Sequence, residues 1–188
     1  MPTDELLQLF RSRLRGQLLQ PGDDGYDSVR KVFNGMIDRH PRWIARCVDV
    51  ADIRAGVDFA RNSGVLLAIR GGNHSAPGLG MCDDGLVLDL SLMKGVHIDP
   101  VARTVRVAGG CVWGDVDHAT HLFGLATPSG IVSTTGDTAH TYEQTCGHGF
   151  CKHRWPERVD LQASAAWRGI QRTLQGGCCL CMGRLQEG

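Results

Sequence analysis

With 188 residues, 42% apolar and 21% charged, the chain has the composition of one globular domain with or without a tail, long enough to bury a core without disulfide staples. Its basic and acidic residues balance to zero net charge, which gives no electrostatic footprint for nucleic acid or an anionic membrane. No apolar stretch reaches the length of a bilayer span.

The N-terminus, MPTDELLQLFRSRLRGQLLQ, lacks the apolar core and cleavage site of a secretory signal and carries the acids that transit peptides avoid. A cytoplasmic location is therefore expected. Residues 4–19 read as a helix with Leu6, Leu7, Phe10 and Leu14 on one face, stopped by Pro21-Gly22-Asp23-Asp24-Gly25. Trp43–Val48 reads as a short strand. Asp49 then sits as N-cap of a helix that has Asp52 in its first turn, Ile53, Val57 and Ala60 inward, and Asn62-Ser63-Gly64 as its stop. Val65–Ile69 is a continuous apolar run of strand length. Together these make a βαβ unit with parallel strands and a right-handed crossover, the second strand expected to be buried on both faces.

After RGGNHSAPGLG the pattern changes. Leu86–Leu90 reads as a strand. Val96–Ile98 and Thr104–Val107 flank Asp99–Arg103 as a hairpin. Val112, Val116, Ala119 and Phe123 are at helical spacing, and Gly124 closes that helix. LATPSGIVSTTG is a loop of small residues. From Asp137 onward only Leu161–Leu174 has a helical pattern, and no internal repeat is visible. Cys47, Cys82 and Cys111 are spaced as ordinary buried thiols, whereas Cys146, Cys151, Cys178, Cys179 and Cys181 crowd the end.

The strongest chemical signal is Arg70-Gly71-Gly72-Asn73-His74-Ser75, directly after a strand. Adjacent glycines let the backbone turn and bring several N–H groups to one point, a nest suited to a phosphate or pyrophosphate. Arg70 would add charge; Asn73 and Ser75 would add hydrogen bonds. The loop is not a G-x-G-x-x-G, and a plain glycine turn between two subdomains fits the same residues. His74 alone reads as an ordinary surface or turn residue. Trp113 is expected to pack, with Asp115 and His118 exposed or capping.

IRGGNHSAPGLG, followed by DDGLVLDLSLMKGVHIDPVARTVRVAGGCVWGDVDHATHLFGLATPSGIVSTTG, resembles the FAD-binding domain of oxidoreductases of the p-cresol methylhydroxylase/vanillyl-alcohol oxidase type, berberine-bridge branch. The upstream PGDDGYDSVRKVFNGMIDRHPRWIARCVDVADIRAGVDFARNSG is similar to the same group, so the resemblance is nearly continuous from Pro21 to Gly136. It implies an α+β fold: a small parallel βαβ part and a mixed or antiparallel sheet, with FAD held between them. It implies that Arg70, Gly71, Gly72, Asn73, His74 and Ser75, with Gly78 beyond them, wrap the FAD pyrophosphate, and that His74 is bonded to the flavin 8α-methyl carbon. Such a link prevents flavin loss and makes the ring a better hydride acceptor; the cofactor carries the redox chemistry and the protein positions it.

Ser133, Thr134 and Gly136 belong to the segment that passes beside the flavin in the family. Val132 stands where bicovalent members have cysteine, so a second link is not expected. The implied reaction is hydride transfer from an alcohol, sugar or amine to the flavin, with oxygen as reoxidant. A small-molecule substrate is the implied partner of the full-length family, and no catalytic base and no metal ligand are assigned.

On this reading residues 1–36 are an N-terminal helix and lead-in, 37–136 an incomplete FAD-binding domain of this type, and 137–188 a divergent tail expected to be poorly ordered. The family's second glycine loop and substrate domain are not recognisable after Asp137. A disrupted reading frame or a retained intervening sequence is therefore expected, and with it an inactive fragment. Two other readings stand beside this one. Cys146, His148, Cys151 and His153, assisted by Cys178, Cys179 and Cys181, would make a small zinc module, against chance clustering. A flavin-holding fragment without turnover would share the loop.

Overall fold

The computed structural model describes residues 2–127, 132–136, 178–181 and 183–184. They fall into two units, Met1–Met93 and Lys94–Gly188.

In the first unit, α1 (Asp4–Arg13) is capped by Thr3, whose side chain accepts from the Leu6 N–H, with acids in its first turn and Arg11 and Arg13 in its last. It ends earlier than its apolar spacing predicts. The N–H groups of Arg15 and Gly16 donate to Asp52 at 2.7 and 3.1 Å, and the chain then pairs as β1 (Gln17–Leu19) with β2 (Trp43–Arg46). A Cβ on Gly16 would lie 1.9 Å from the Arg46 carbonyl oxygen, so only glycine admits this approach. A short helix, α2 (Tyr26–Val29), follows β1.

Helix α3 (Val50–Ser63) begins and ends where its sequence signals stand. Asp49 accepts from the N–H groups of Ala51 and Asp52, and Gly64 caps the other end at φ 68°. The buried face is Ile53, Ala55, Phe59 and Ala60, while Val57 is only half-buried. Phe59 stacks on Phe10 at 4.7 Å and meets the edge of Trp43 at 5.6 Å, which joins α1, α3 and β2.

Strands β3 (Leu67–Arg70) and β4 (Leu86–Asp89) complete a four-stranded sheet of order β1-β2-β4-β3. The strands flanking α3 are parallel, as expected, but β4 lies between them and pairs in parallel with both. Among the described residues β3 is consequently an edge strand, and its residues alternate between half-buried and buried. The strand buried on both faces is β4, not the Val65–Ile69 run, and Leu66 is 62% exposed. Leu19, Tyr26, Ile44, Ala68, Met81, Cys82 and Val87 form one core cluster, with Val29 and Val32 packed against it. Each large apolar side chain so buried stabilises by about 1.5–3 kcal/mol.

In the second unit, β5 (Val96–Asp99) and β6 (Thr104–Val107) form the predicted antiparallel hairpin. Asp99 accepts from the N–H groups of Val101 and Ala102, and Arg103 takes φ 53°. Helix α4 (Trp113–His121) buries Trp113 and Val116 against Val105, Val107, Cys111 and Leu125, and its Thr120 is buried as well. Trp113 packs as expected, but Phe123 lies beyond the helix and is half-exposed. β7 (Leu125–Ala126), β8 (Cys178–Cys181) and β9 (Gly183–Arg184) complete the described elements; β8 pairs antiparallel with β6 and β9 with β7. Neither of the last two strands has a local sequence pattern; backbone pairing with a distant strand makes them.

Cys47, Cys82 and Cys111 are buried thiols, as their spacing predicts, and none is in a disulfide among the described residues. Burial pushes Cys47 up to about 12, which makes it unreactive at neutral pH. Among the described residues no helix is long and apolar enough to cross a membrane.

The Asp49 cap gives a pH-dependent contribution. The Asp52 N–H above all, then those of Ala51 and the Arg15 side chain, hold its carboxyl below the ordinary carboxylate range against the opposing effect of desolvation. The associated stability is present above the unfolded-state value and is lost as pH falls through the lower folded-state value. Asp49→Ala is expected to cost about 1 kcal/mol at neutral pH. Asp49→Asn should retain the cap but flatten the acid limb of stability against pH, measured by urea unfolding across the acid range.

Candidate functional site

The candidate loop leaves the sheet at the carboxyl end of β3, the end of a parallel sheet at which ligands bind in open α/β architectures. Three charged residues close that end as a cross-strand row. Arg46 and Arg70 are the register partners of Asp89 on either side. Asp89 is fully buried; Arg70 Nε lies 3.2 Å from one carboxylate oxygen and Arg46 Nε 3.5 Å from the other. Ser91 donates its N–H and hydroxyl to the same carboxylate at 3.1 and 3.0 Å. Burial lowers Arg70 below its ordinary value, Asp89 acting against that shift and Arg46 with it. Arg70 also donates to the Val29 carbonyl. Its guanidinium is thus engaged by Asp89 and by the Val29 carbonyl.

The turn is made by other residues than the paired glycines. Asn73 (φ 64°) and Gly78 (φ 71°) are the left-handed positions of the loop. A Cβ at Gly78 would come within 2.7 Å of the Ile37 side chain, so that position demands glycine on both counts. Gly78 N–H donates to the Ser75 carbonyl at 3.0 Å, and Leu79 N–H to the Ser75 hydroxyl oxygen at 3.2 Å.

The segment after α2 braces the loop from outside. Phe33 N–H donates to the Asn73 carbonyl at 3.2 Å, Asn73 Nδ2 to the Lys31 carbonyl at 3.4 Å, and Asn34 Nδ2 to the Ala76 carbonyl at 2.9 Å. Phe33 stacks on His74 with ring centroids 4.1 Å apart and planes 19° apart. Sequence reasoning missed Phe33 and Asn34, which lie in a stretch without periodicity. It missed Asp89 too, although an acid ending the apolar run LVLD was a usable signal.

What remains is a set of donors. Among the described residues, the N–H groups of Gly71, Gly72, Asn73 and Ser75 donate no hydrogen bond, nor does the Ser75 hydroxyl. Asn73 Oδ1 is buried without a partner there. Clustered backbone donors at a half-buried turn suit an anionic oxygen-rich group, and the orphaned amide oxygen suits a hydroxyl donor. A dinucleotide with a pyrophosphate and sugar or ribityl hydroxyls supplies both, so these residues fit FAD.

In the second unit, residues 132–136 run along the start of α4. The N–H groups of Gly114 and Trp113 donate to the carbonyls of Ser133 and Thr135 at 2.8 and 3.0 Å, and Gly136 bridges to Val112. Ser133 and Thr134 are exposed, Val132 is 43% exposed, and Gly136 is buried. His118 is exposed. Asp115 caps: burial pushes its carboxyl up, and hydrogen bonds from Lys94 and the Val112 N–H more than offset this, leaving it below the ordinary range. Pro128 to Ile131, the Cys146–His153 group and Leu161–Leu174 lie outside the described residues, among which no cluster of three metal-ligating side chains occurs.

The chain matches the family described as FAD binding domain over residues 41–175, which extends beyond Gly136. It is 33% identical over 123 residues to (R)-6-hydroxynicotine oxidase of Paenarthrobacter nicotinovorans, covering 65% of this chain and 27% of that protein. The structure is similar to that of a berberine-bridge-like protein of Physcomitrella patens, with TM-score 0.64, 26% identity and coverage of 70% and 29% of the two chains. Phl p 4, a grass pollen allergen with glucose dehydrogenase activity, aligns with TM-score 0.65 at 26% identity, covering 70% of this chain and 29% of that one. The chain therefore spans less than a third of the length of these relatives.

Proposed function

This chain belongs to the FAD binding domain family of FAD-dependent oxidoreductases, and on that premise we propose that its β3 loop holds the FAD pyrophosphate and that His74 is the residue joined to the flavin. The uncommitted N–H groups of Gly71, Gly72, Asn73 and Ser75 support this reading more than any other observation. They sit at the carboxyl end of β3, fixed from below by Arg70 and Asp89 and from outside by Phe33 and Asn34. Their geometry is set before ligand arrives, so binding costs little loop ordering.

Gly78 keeps the turn tight, and Ser75 adds a hydroxyl donor. Ser133, Thr134 and Gly136 are proposed as cofactor-binding residues on the family resemblance alone. The His74 imidazole would lose its N–H proton as its nitrogen bonds to the 8α carbon, which loses one C–H. The two protons and two electrons would be taken up by dioxygen as hydrogen peroxide. When bound, FAD supplies hydride acceptance from an alcohol, sugar or amine and reoxidation by oxygen. The berberine-bridge branch is the reading favoured by the similarity to the Physcomitrella protein.

Intact-mass spectrometry of the unfolded protein tests the proposal. The wild type is expected to carry an FAD-sized adduct and His74→Ala none. A wild type of unmodified mass after incubation with FAD would remove the covalent link. Absence of saturable quenching of FAD fluorescence would remove the nest as well.

A further inference from the structure

The irregular stretch between α2 and β2 holds an aromatic side chain that packing does not explain. Val29 and Val32 point into the core cluster, whereas Phe33 is 70% exposed. A phenyl ring so exposed contributes little by burial. Its ring stacks instead on the His74 imidazole, 4.1 Å away and nearly parallel. Its own N–H donates to the carbonyl of Asn73, the residue before His74 and the left-handed hinge of the loop. Phe33 is thus tied to the loop through backbone and through side chain, at two successive residues.

We propose that Phe33 is a positioning residue that fixes the plane of the His74 ring, and so the direction of its nitrogens; the proposal rests on the reading of His74 as the flavin-linked residue. Ring nitrogens lie in the plane of the imidazole. A near-parallel phenyl leaves that plane few orientations, so an electrophilic carbon brought by the ligand meets nitrogen at a defined angle. Orientation of a reacting pair is a rate effect, expressed in how fast the bond forms and not in how tightly FAD is first held.

The experiment compares wild type, Phe33→Leu, Phe33→Ala and Phe33→Tyr. In the protein without flavin, the stacked phenyl should shift the His74 ring-proton resonances upfield, the signals being identified by their loss in His74→Ala. Phe33→Tyr should keep that shift, and Phe33→Leu and Phe33→Ala should abolish it. After FAD is added, adduct formation followed by intact mass should be about three- to tenfold slower in the Leu and Ala variants, the range an aromatic pair commands. It should be near wild type in Phe33→Tyr; the Phe33 N–H that braces Asn73 is kept in every variant, so the initial FAD affinity should change less than the adduct rate. Matching circular dichroism and urea midpoints exclude a folding cause. Unmoved His74 resonances in Phe33→Leu, or an adduct rate equal to wild type, would overturn the inference. A wild type that forms no adduct would instead sink the reading of His74 itself.

Discussion

Asp89→Ala is expected to lower stability by about 3–5 kcal/mol, because it leaves a buried guanidinium without its counter-charge. Asp89 is fully buried between Arg46 and Arg70, and Arg70 is itself only 8% exposed. The Ser91 N–H and hydroxyl would lose their acceptor as well. An isosteric Asp89→Asn should cost less, since it keeps the shape and one acceptor oxygen, but it still uncovers two like charges across the sheet. Arg70 is the last residue of β3 and the footing of the 70–78 loop. Loss of stability should therefore come with loss of FAD binding in the molecules that remain folded. Urea unfolding gives the first quantity, and FAD fluorescence quenching at low urea gives the second. A drop in stability below about 1 kcal/mol would mean that water reaches the two arginines and that the row is not a buried ion network.

How far these features were legible follows from the range of the interactions that make them. The path from β2 through α3 to β3 was readable because its signals are local: an Asp at the N-cap, an apolar face, and Gly64 in a left-handed stop. The hairpin was readable for the same reason, its turn being made by Asp99 and the two N–H groups just after it. Strand order was not readable. VLLAI and LVLD are both apolar runs, and only pairing decides which is central; among the described residues β4 lies between two parallel partners while β3 has one. β1 was hidden inside an apparent helix, because the capture of Arg15 and Gly16 by an acid 36 to 37 residues away ends α1 early.

The candidate loop was found through its glycines, yet its conformation depends on Asn73 and Gly78, and its footing on Asp89. A glycine pair announces that a turn is possible. It does not announce which residue takes the left-handed conformation, nor which partner the neighbouring arginine chooses. The resemblance to a flavoprotein family reached the fold and the cofactor because it weighs the order of many turns at once. It carried no information on Phe33, whose contact with His74 spans 41 positions of sequence that share no motif.

Asp52→Ala is expected to cost about 3 kcal/mol, the sum of three backbone donors losing one acceptor, each loss being about 1 kcal/mol or more where water enters only in part. The Asp52 carboxylate is fully buried and accepts from Arg15 at 2.7 Å, Val48 at 2.9 Å and Gly16 at 3.1 Å. It therefore pins the turn before β1, the end of β2 and the first turn of α3 to one point, where the helix dipole also favours its charge. The sequence revealed only that last role. Asp52→Asn should be nearly as damaging, because one of its two acceptor oxygens becomes an NH2 facing donors. Hydrogen exchange separates this site from the Asp89 row: amides of Gln17–Leu19 should lose protection in Asp52→Ala while those of β3 and β4 retain it. FAD quenching per folded molecule should stay at the wild-type level, since none of the three donors belongs to the 70–78 loop. Retained protection in β1 with an unchanged urea midpoint would show that the short edge strand holds by its ladder to β2 alone, and that the buried carboxylate is not its anchor.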